Sequence, residues 1–275
     1  GGLRNIQDTG TATTELFNTI VAGNTAGSAT GPDLFLAGGS ITSSGGNVIG
    51  KTDGSGATWL ASDHTGTAAA PLDPGLAPLG EFGGPTQTMA LLPGSPARNA
   101  GQLGLPFVST FVADQRGFAI NGQPDSGAYE AGTLGNFEAW AWETLPATAT
   151  VPQHAPTFDY DADGRTLLLE YAAQGSGTIP EFGPIPGFTR DAAGTVATVV
   201  IPYRYSAADL RYTIERGTNL TDDWVTIATV NSGSNTYNAA GGVTLIAADA
   251  VSITFTDTFI ASQPKVFYRL KVTKL

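Results

Sequence analysis

Through the first 131 residues, the strand-favouring runs are only two to four residues long. Leu16-Phe17, Thr19-Ile20-Val21, Asp33-Leu34-Phe35-Leu36, Ser40-Ile41-Thr42 and Asn47-Val48-Ile49 are each set off by Gly, Asn, Ser or Thr turns. Runs this short cannot line the face of an ordinary sandwich, whose strands average about five or six residues. They do suit the stacked rungs of a parallel β-helix, where each rung buries one or two apolar residues and pairs with its neighbours. Small polar residues at the corners fit tight turns, with Gly or Asn taking a positive φ. A Gly-rich irregular loop region would show the same texture, so both readings stand at this point.

The chain has 275 residues, enough for one large β domain or two ordinary ones. Its 36 glycines and 17 prolines favour short strands and tight turns over long helices. A net charge of −11 with only 13 Lys and Arg argues against nucleic acid, which needs clustered cations for its phosphates. Cysteine is absent, which excludes disulfides, thiol catalysis and thiolate metal sites. No apolar run is long enough to span a membrane. The opening GGLRNIQDTG has no signal-peptide character, so the expectation is a cytosolic product or a mature piece of something longer.

From Thr195 onward the pattern changes. TVATVVIPY, LRYTIERG, WVTIATV, GVTLI, VSITFTD and KVFYRLKVT are rich in Val, Ile, Thr, Tyr and Phe, and Gly, Asn, Asp or Ser clusters bound them. This spacing predicts an antiparallel sandwich of about seven strands. In the last run Val266, Tyr268, Leu270 and Val272 share one face, as in a half-buried strand. Between the halves, Phe137, Trp140, Ala141 and Leu145 follow helical spacing, and a Pro-rich stretch after them reads as an extended connector. The domain boundary is expected near residues 131 to 136.

Several words of the first half occur in a recognisable order: ELFNTIVAGNTA, GPDLFLAGGSITSSGGNVIG, LDPGLAPLGEFGGPTQTMALLPGSPARNAG, DQRGF and PDSGAYE. This segment resembles the C-terminal rungs and closing segment of bacterial right-handed parallel β-helix surface proteins with a choice-of-anchor Q segment. Phe82, Arg98 and Asn99 depart from that pattern. Further on, YTIERGTNLTDDW and VFYRLKV resemble a small C-terminal β-sandwich module of large exported proteins from Verrucomicrobia and related bacteria. The resemblances imply an all-β chain: β-helix rungs and a closing segment over 1–131, then a linker with short helices over 132–178. An immunoglobulin- or fibronectin-like antiparallel sandwich would follow over 179–275. They also imply a secreted or cell-surface location.

The densest charge lies in DYDADGRTLLLE, residues 159 to 170. Counted from Asp159, Asp161 is third, Asp163 fifth, Gly164 sixth and Glu170 twelfth, which is the spacing of a calcium loop. Alternate side chains on a tightly curled loop can point inward together, and Ca2+ takes six to eight oxygens. Gly164 would permit the sharp turn, and the main-chain carbonyl of Arg165 would supply an oxygen while its side chain points away. Glu170, on a following helix, would close the sphere. The competing reading makes Asp163 a helix cap and leaves the other acids solvated. The preceding Pro-rich segment predicts a lone dockerin-like or thrombospondin-like loop, with the ion fixing the joint between the two domains.

Catalysis finds little support in the pattern. Asp33, Asp53, Asp63, Asp73, Glu81, Asp114, Asp125 and Glu130 form no evident pair on a strand face, and most sit beside Gly or Pro. Asp114 and Arg116 read as a structural ion pair or as bonding to exposed backbone in the closing segment. His64 and His154 read as surface residues, the Gly38-Gly39 and Gly45-Gly46 pairs as turns, and Asn219-Leu220-Thr221 as a polar turn. The expected function is non-catalytic: a calcium-stabilised extracellular structural or adhesive protein. Its expected partners are cell-surface or matrix components, polysaccharide among them. Residues 1 to 15 read as a rung already under way, so the open β-helix end is covered either by upstream rungs of a longer parent or by copies of the chain stacked head to tail into filaments. The rival is a polysaccharide-binding or polysaccharide-degrading β-helix, with Trp59, Trp140, Trp142 and Trp224 as candidates to stack on sugars, although Trp140 and Trp224 sit in patterns that read as core.

Overall fold

The computed structural model describes residues 2–7, 9–27, 31–104, 113–120, 122–132, 136–178, 187–221, 224–233, 237–248, 250–258 and 265–275. They are predominantly β, with two short α-helices. The chain forms two compact units, residues 1–133 with 146–148, and residues 134–145 with 149–275. Residues 179–186, where the sandwich was expected to begin, lie outside the described residues.

In the first unit β1 (Leu3–Ile6), β2 (Thr13–Leu16) and β3 (Ile20–Val21) are followed by β4 (Leu34–Ala37), β5 (Ser40–Ser43) and β6 (Val48–Ile49). Each strand of the first pass pairs in parallel with its counterpart in the second, Leu3 with Leu34, Thr13 with Ser40 and Ile20 with Val48. A third pass adds β7 (His64–Thr65) beside β6. Inward-facing apolar side chains from these strands meet: Leu16, Leu34, Ile41 and Ile49 form one buried cluster, with Trp59 packed against it.

The turns between strands depend on particular residues. A Cβ on Gly39, at φ +78°, would lie 2.0 Å from the Ala12 carbonyl oxygen, and one on Gly46, at φ +68°, 2.2 Å from Asn18 Oδ1. Buried Asn47 accepts from the Thr19 N–H at 3.0 Å and donates to the Leu16 carbonyl at 3.1 Å, so its amide replaces ladder bonds lost at a corner.

In the second unit α1 (Phe137–Thr144) is capped by Asn136, whose side chain accepts from the Ala139 N–H at 2.9 Å. The second helix, α2 (Leu167–Ala173), precedes eight strands: β8 (Gly187–Arg190), β9 (Val196–Pro202), β10 (Leu210–Gly217), β11 (Val225–Asn231), β12 (Tyr237–Ala239), β13 (Val243–Ala248), β14 (Ser252–Thr258) and β15 (Phe267–Lys274). They make two antiparallel sheets ordered β12-β11-β10-β15 and β13-β14-β9-β8. Alternation puts Tyr212 and Ile214 of one sheet and Val199, Ile201, Ile253 and Phe255 of the other into a single core. Phe137, Trp140, Leu145, Leu167 and Tyr171 from the helices join that core. The helices of the expected connector are therefore built into the second unit.

Two polar groups bind this core together. Asp257 on β14 is fully buried and accepts two bonds from Arg216 Nη1, at 2.7 and 2.8 Å, and one from the Tyr268 hydroxyl at 2.9 Å. Asp209 accepts from the Phe137 N–H at 2.8 Å and the Tyr171 hydroxyl at 3.3 Å, while its carbonyl accepts from the Leu275 N–H at 2.7 Å.

The reading of His154 as a surface residue needs correction; His64 is exposed as expected. His154 is 7% exposed and stacks on Trp142 at 3.6 Å, with Nδ1 2.9 Å from the Thr150 carbonyl. A short 3-10 turn over Val151–His154 folds the ring back onto α1, a contact between residues that local pattern does not link. Burial pushes its pKa below the usual 6.5. The unfolded ring therefore protonates first, and the second unit loses stability as pH falls below about 6.5 toward the folded-state value. Melting temperatures between pH 7.5 and 5 should fall for the parent and stay flatter for His154→Phe.

Candidate metal centre

The acidic loop curls as its spacing requires. Gly164 has φ +94° and Ala162 has φ +62°, the latter unusual for a residue with a Cβ and strained by roughly 1 kcal/mol. The Asp159 carboxylate accepts from the Gly164 N–H at 2.9 Å, that of Asp161 from the Asp163 N–H at 3.3 Å, and that of Asp163 from the Arg165 N–H at 2.8 Å. These bonds draw the three carboxylates inward, so that each offers an oxygen within 4.8 Å of the others.

Two carboxylate oxygens of this cluster's residues lack partners: Asp159 Oδ1 and Asp161 Oδ2 are buried without a hydrogen bond. Burial raises the pKa of Asp161, and the neighbouring Asp163 and Asp159 add to the rise. Asp163 is not the helix cap; Thr166 holds that position, without a side-chain bond.

Glu170 on α2 is 1% exposed. Its Oε2 accepts from the Gly177 N–H, and its Oε1 has no hydrogen bond. Burial raises its pKa, Gly177 and Arg165 oppose the rise, and Asp163 and Asp161 add to it. The expectation that the Arg165 side chain points away is corrected: Nη1 lies 3.6 Å from Glu170 Oε1. A buried carboxylate draws the nearest cation on the chain. The group of mutually close oxygens consists of the three aspartates, with Glu170 next to it and occupied by Arg165. Sequence reading missed Gly177, whose φ is +71° and where a Cβ would meet the Trp140 ring at 2.7 Å. The only cue to it was a glycine shortly after the helix.

This donor set suits a hard divalent cation: all oxygen, several carboxylates, and three buried lone-pair positions with no protein donor. The loop and α2 lie within the second unit, Leu167 N–H bonding the Phe158 carbonyl at 2.8 Å.

Most of the candidate carboxylates of the first unit are wired to main chain; Asp33 accepts from the Asn24 N–H at 2.9 Å through Oδ1, and its Oδ2 is buried without a hydrogen bond. Asp125 accepts from the N–H groups of Asn99 and Ala131, both at 2.6 Å, and Glu130 from that of Asp125 at 2.9 Å. Asp114 accepts from the N–H groups of Arg116, Phe118 and Glu130, and pairs with the Arg116 guanidinium at 2.7 Å. Asp63 holds Asn47, Ser43 and Leu60, and Asp53 and Asp73 each accept one N–H. Asp114, Asp125 and Glu130 do border a cleft of about 310 Å³, with these bonds already made. A larger cleft of about 650 Å³ is lined by Asn18, Asn24, Gln87 and Gln115 beside Leu79 and Met89.

No tryptophan lines either cleft. Trp59 and Trp140 pack on cores, Trp142 is covered by His154, and Trp224 lies under the Arg269 guanidinium at 4.3 Å. Among the described residues no helix is long and apolar enough to cross a membrane. No protein-family model matches the chain, and no curated protein matches its sequence.

Proposed function

We propose that this chain is a non-catalytic, calcium-stabilised structural or adhesive β protein of the bacterial cell surface or extracellular space. The observation that carries the calcium assignment is the set of buried carboxylate oxygens left without donors at Asp159, Asp161 and Glu170. The ion pins α2 and its loop within the second unit. The parallel, in-order pairing of successive passes supports reading the first unit as rungs of a right-handed β-helix of the choice-of-anchor Q kind. Two antiparallel four-stranded sheets on one core support an immunoglobulin- or fibronectin-like sandwich for the second. The main-chain bonds on the first unit's acids favour structure over catalysis.

In this reading the free edges of β1, β2 and β3 accept further rungs, either of the same chain or of another copy added head to tail, and electron microscopy of purified chain tests for such filaments. The amide-lined cleft favours polysaccharide as an alternative partner. Reducing-sugar or unsaturated-product release, abolished by changing one first-unit carboxylate, would replace the structural reading with an enzymatic one.

For the ion, calcium at 100 times its Kd should stabilise the second unit by about 2.7 kcal/mol over chelator. Asp161→Ala should remove that difference. Identical melting in calcium and chelator for the parent chain would reject the site.

A further inference from the structure

We propose that Arg165 is a built-in counter-ion that holds Glu170 until a divalent cation displaces it, an inference that rests on the calcium reading above. Glu170 is almost wholly buried, and one of its oxygens is committed to the Gly177 N–H. The other faces Arg165 Nη1 at 3.6 Å, and neither atom has a hydrogen-bond partner. The pairing therefore neutralises charge without the short bonds that make a buried ion pair strong.

The two ends of Arg165 are separately held. Its main-chain N–H is bonded to Asp163 at 2.8 Å, so the loop keeps its curl whichever way the side chain lies. The side chain is 16% exposed, against 1% for that of Glu170, so the guanidinium reaches water by rotation of its own stem. The bare oxygens of Asp159 and Asp161 form the open part of the site, while Glu170 is the ligand position occupied by arginine. A divalent ion bound to the aspartates would meet the guanidinium at close range, and like charges there repel. Binding thus exchanges one cation for another at Glu170, and affinity is lowered by the work of releasing Arg165.

The closing experiment compares the 275-residue parent with Arg165→Met and Arg165→Lys, melted in chelator and in saturating calcium, with calcium Kd from calorimetry. In chelator, Arg165→Met should melt several degrees below the parent, because Glu170 is left uncompensated. In saturating calcium the two should melt together, because Arg165 has already left. By linkage Kd should tighten by the same free energy, on the order of tenfold or about 1.4 kcal/mol. Arg165→Lys, which keeps a charge, should fall between them and serves if the methionine variant does not fold.

An equal drop with and without calcium, at unchanged Kd, would make Arg165 a packing residue and overturn the exchange while leaving the calcium site standing. A parent chain that binds no calcium would overturn both.

Discussion

Arg116→Ala is expected to destabilise the first unit by about 3–5 kcal/mol, the range for removing one partner of a buried ion pair. The Arg116 side chain is fully buried, pairs with Asp114 at 2.7 Å, and donates to the carbonyls of Phe82 at 3.2 Å and Glu130 at 2.7 Å. Its guanidinium also lies 3.6 Å from the Tyr129 ring centre and 4.7 Å from that of Phe118. Truncation would leave the Asp114 carboxylate without its counter-ion and two carbonyls without their donor, beside a void next to the Tyr129 and Phe118 rings. Calorimetry should show the first unit's transition lowered by roughly 10 °C or more. Arg116→Lys should recover only part of the loss, since an ammonium cannot bond two carbonyls in plane and stack at once. A melting point within 2 °C of the parent for the alanine variant, roughly the shift of a fraction of a kcal/mol, would contradict this account.

Trp140→Ala should cost the second unit about 3–5 kcal/mol, the usual range for deleting a buried aromatic ring. The ring is 5% exposed and lies 5.4 Å from the Tyr171 ring and 6.1 Å from that of Phe137. It also packs directly on Gly177, whose N–H holds Glu170. Loss of the ring therefore leaves a cavity and loosens a support of the proposed calcium site. Calcium affinity should weaken together with stability, by about tenfold, the lower end for losing a supporting contact around a metal. Trp140→Phe should preserve most of both. Reduced stability with unchanged calcium affinity would disconnect Gly177 from the site.

What was legible in the sequence was local. Apolar spacing from Phe137 to Leu145 located α1, and alternation at Tyr268, Leu270 and Val272 located β15, because each pattern repeats with the period of its own element. The loop was equally readable, since Asp159, Asp161, Asp163 and Gly164 act over six residues. Asp114 and Arg116, two residues apart, could be paired by inspection. Contacts made across the fold were not visible. His154 is buried by a ring twelve positions earlier, Asp257 occupies a core position only because Arg216 and Tyr268 meet it, and Arg165 turns toward Glu170 because that carboxylate is buried. Which acids would serve as main-chain acceptors also depended on distant neighbours, as with Asp125 and Asn99.

Asp209 draws the start of α1, the middle of α2 and the end of β15 to one residue. During synthesis α1 is made first, and its anchor at Asp209 emerges 72 residues later. The strand that completes the sheet around Asp209 comes later still. At ordinary rates of translation the wait from α1 to β15 is roughly 7–30 s, far longer than a helix needs to form and dissolve. The second unit consequently folds as a late event, with Trp140 and Phe137 uncovered meanwhile. A nascent chain of this kind depends on whatever shields apolar surface at the ribosome, and truncation within β15 would prolong that exposed state.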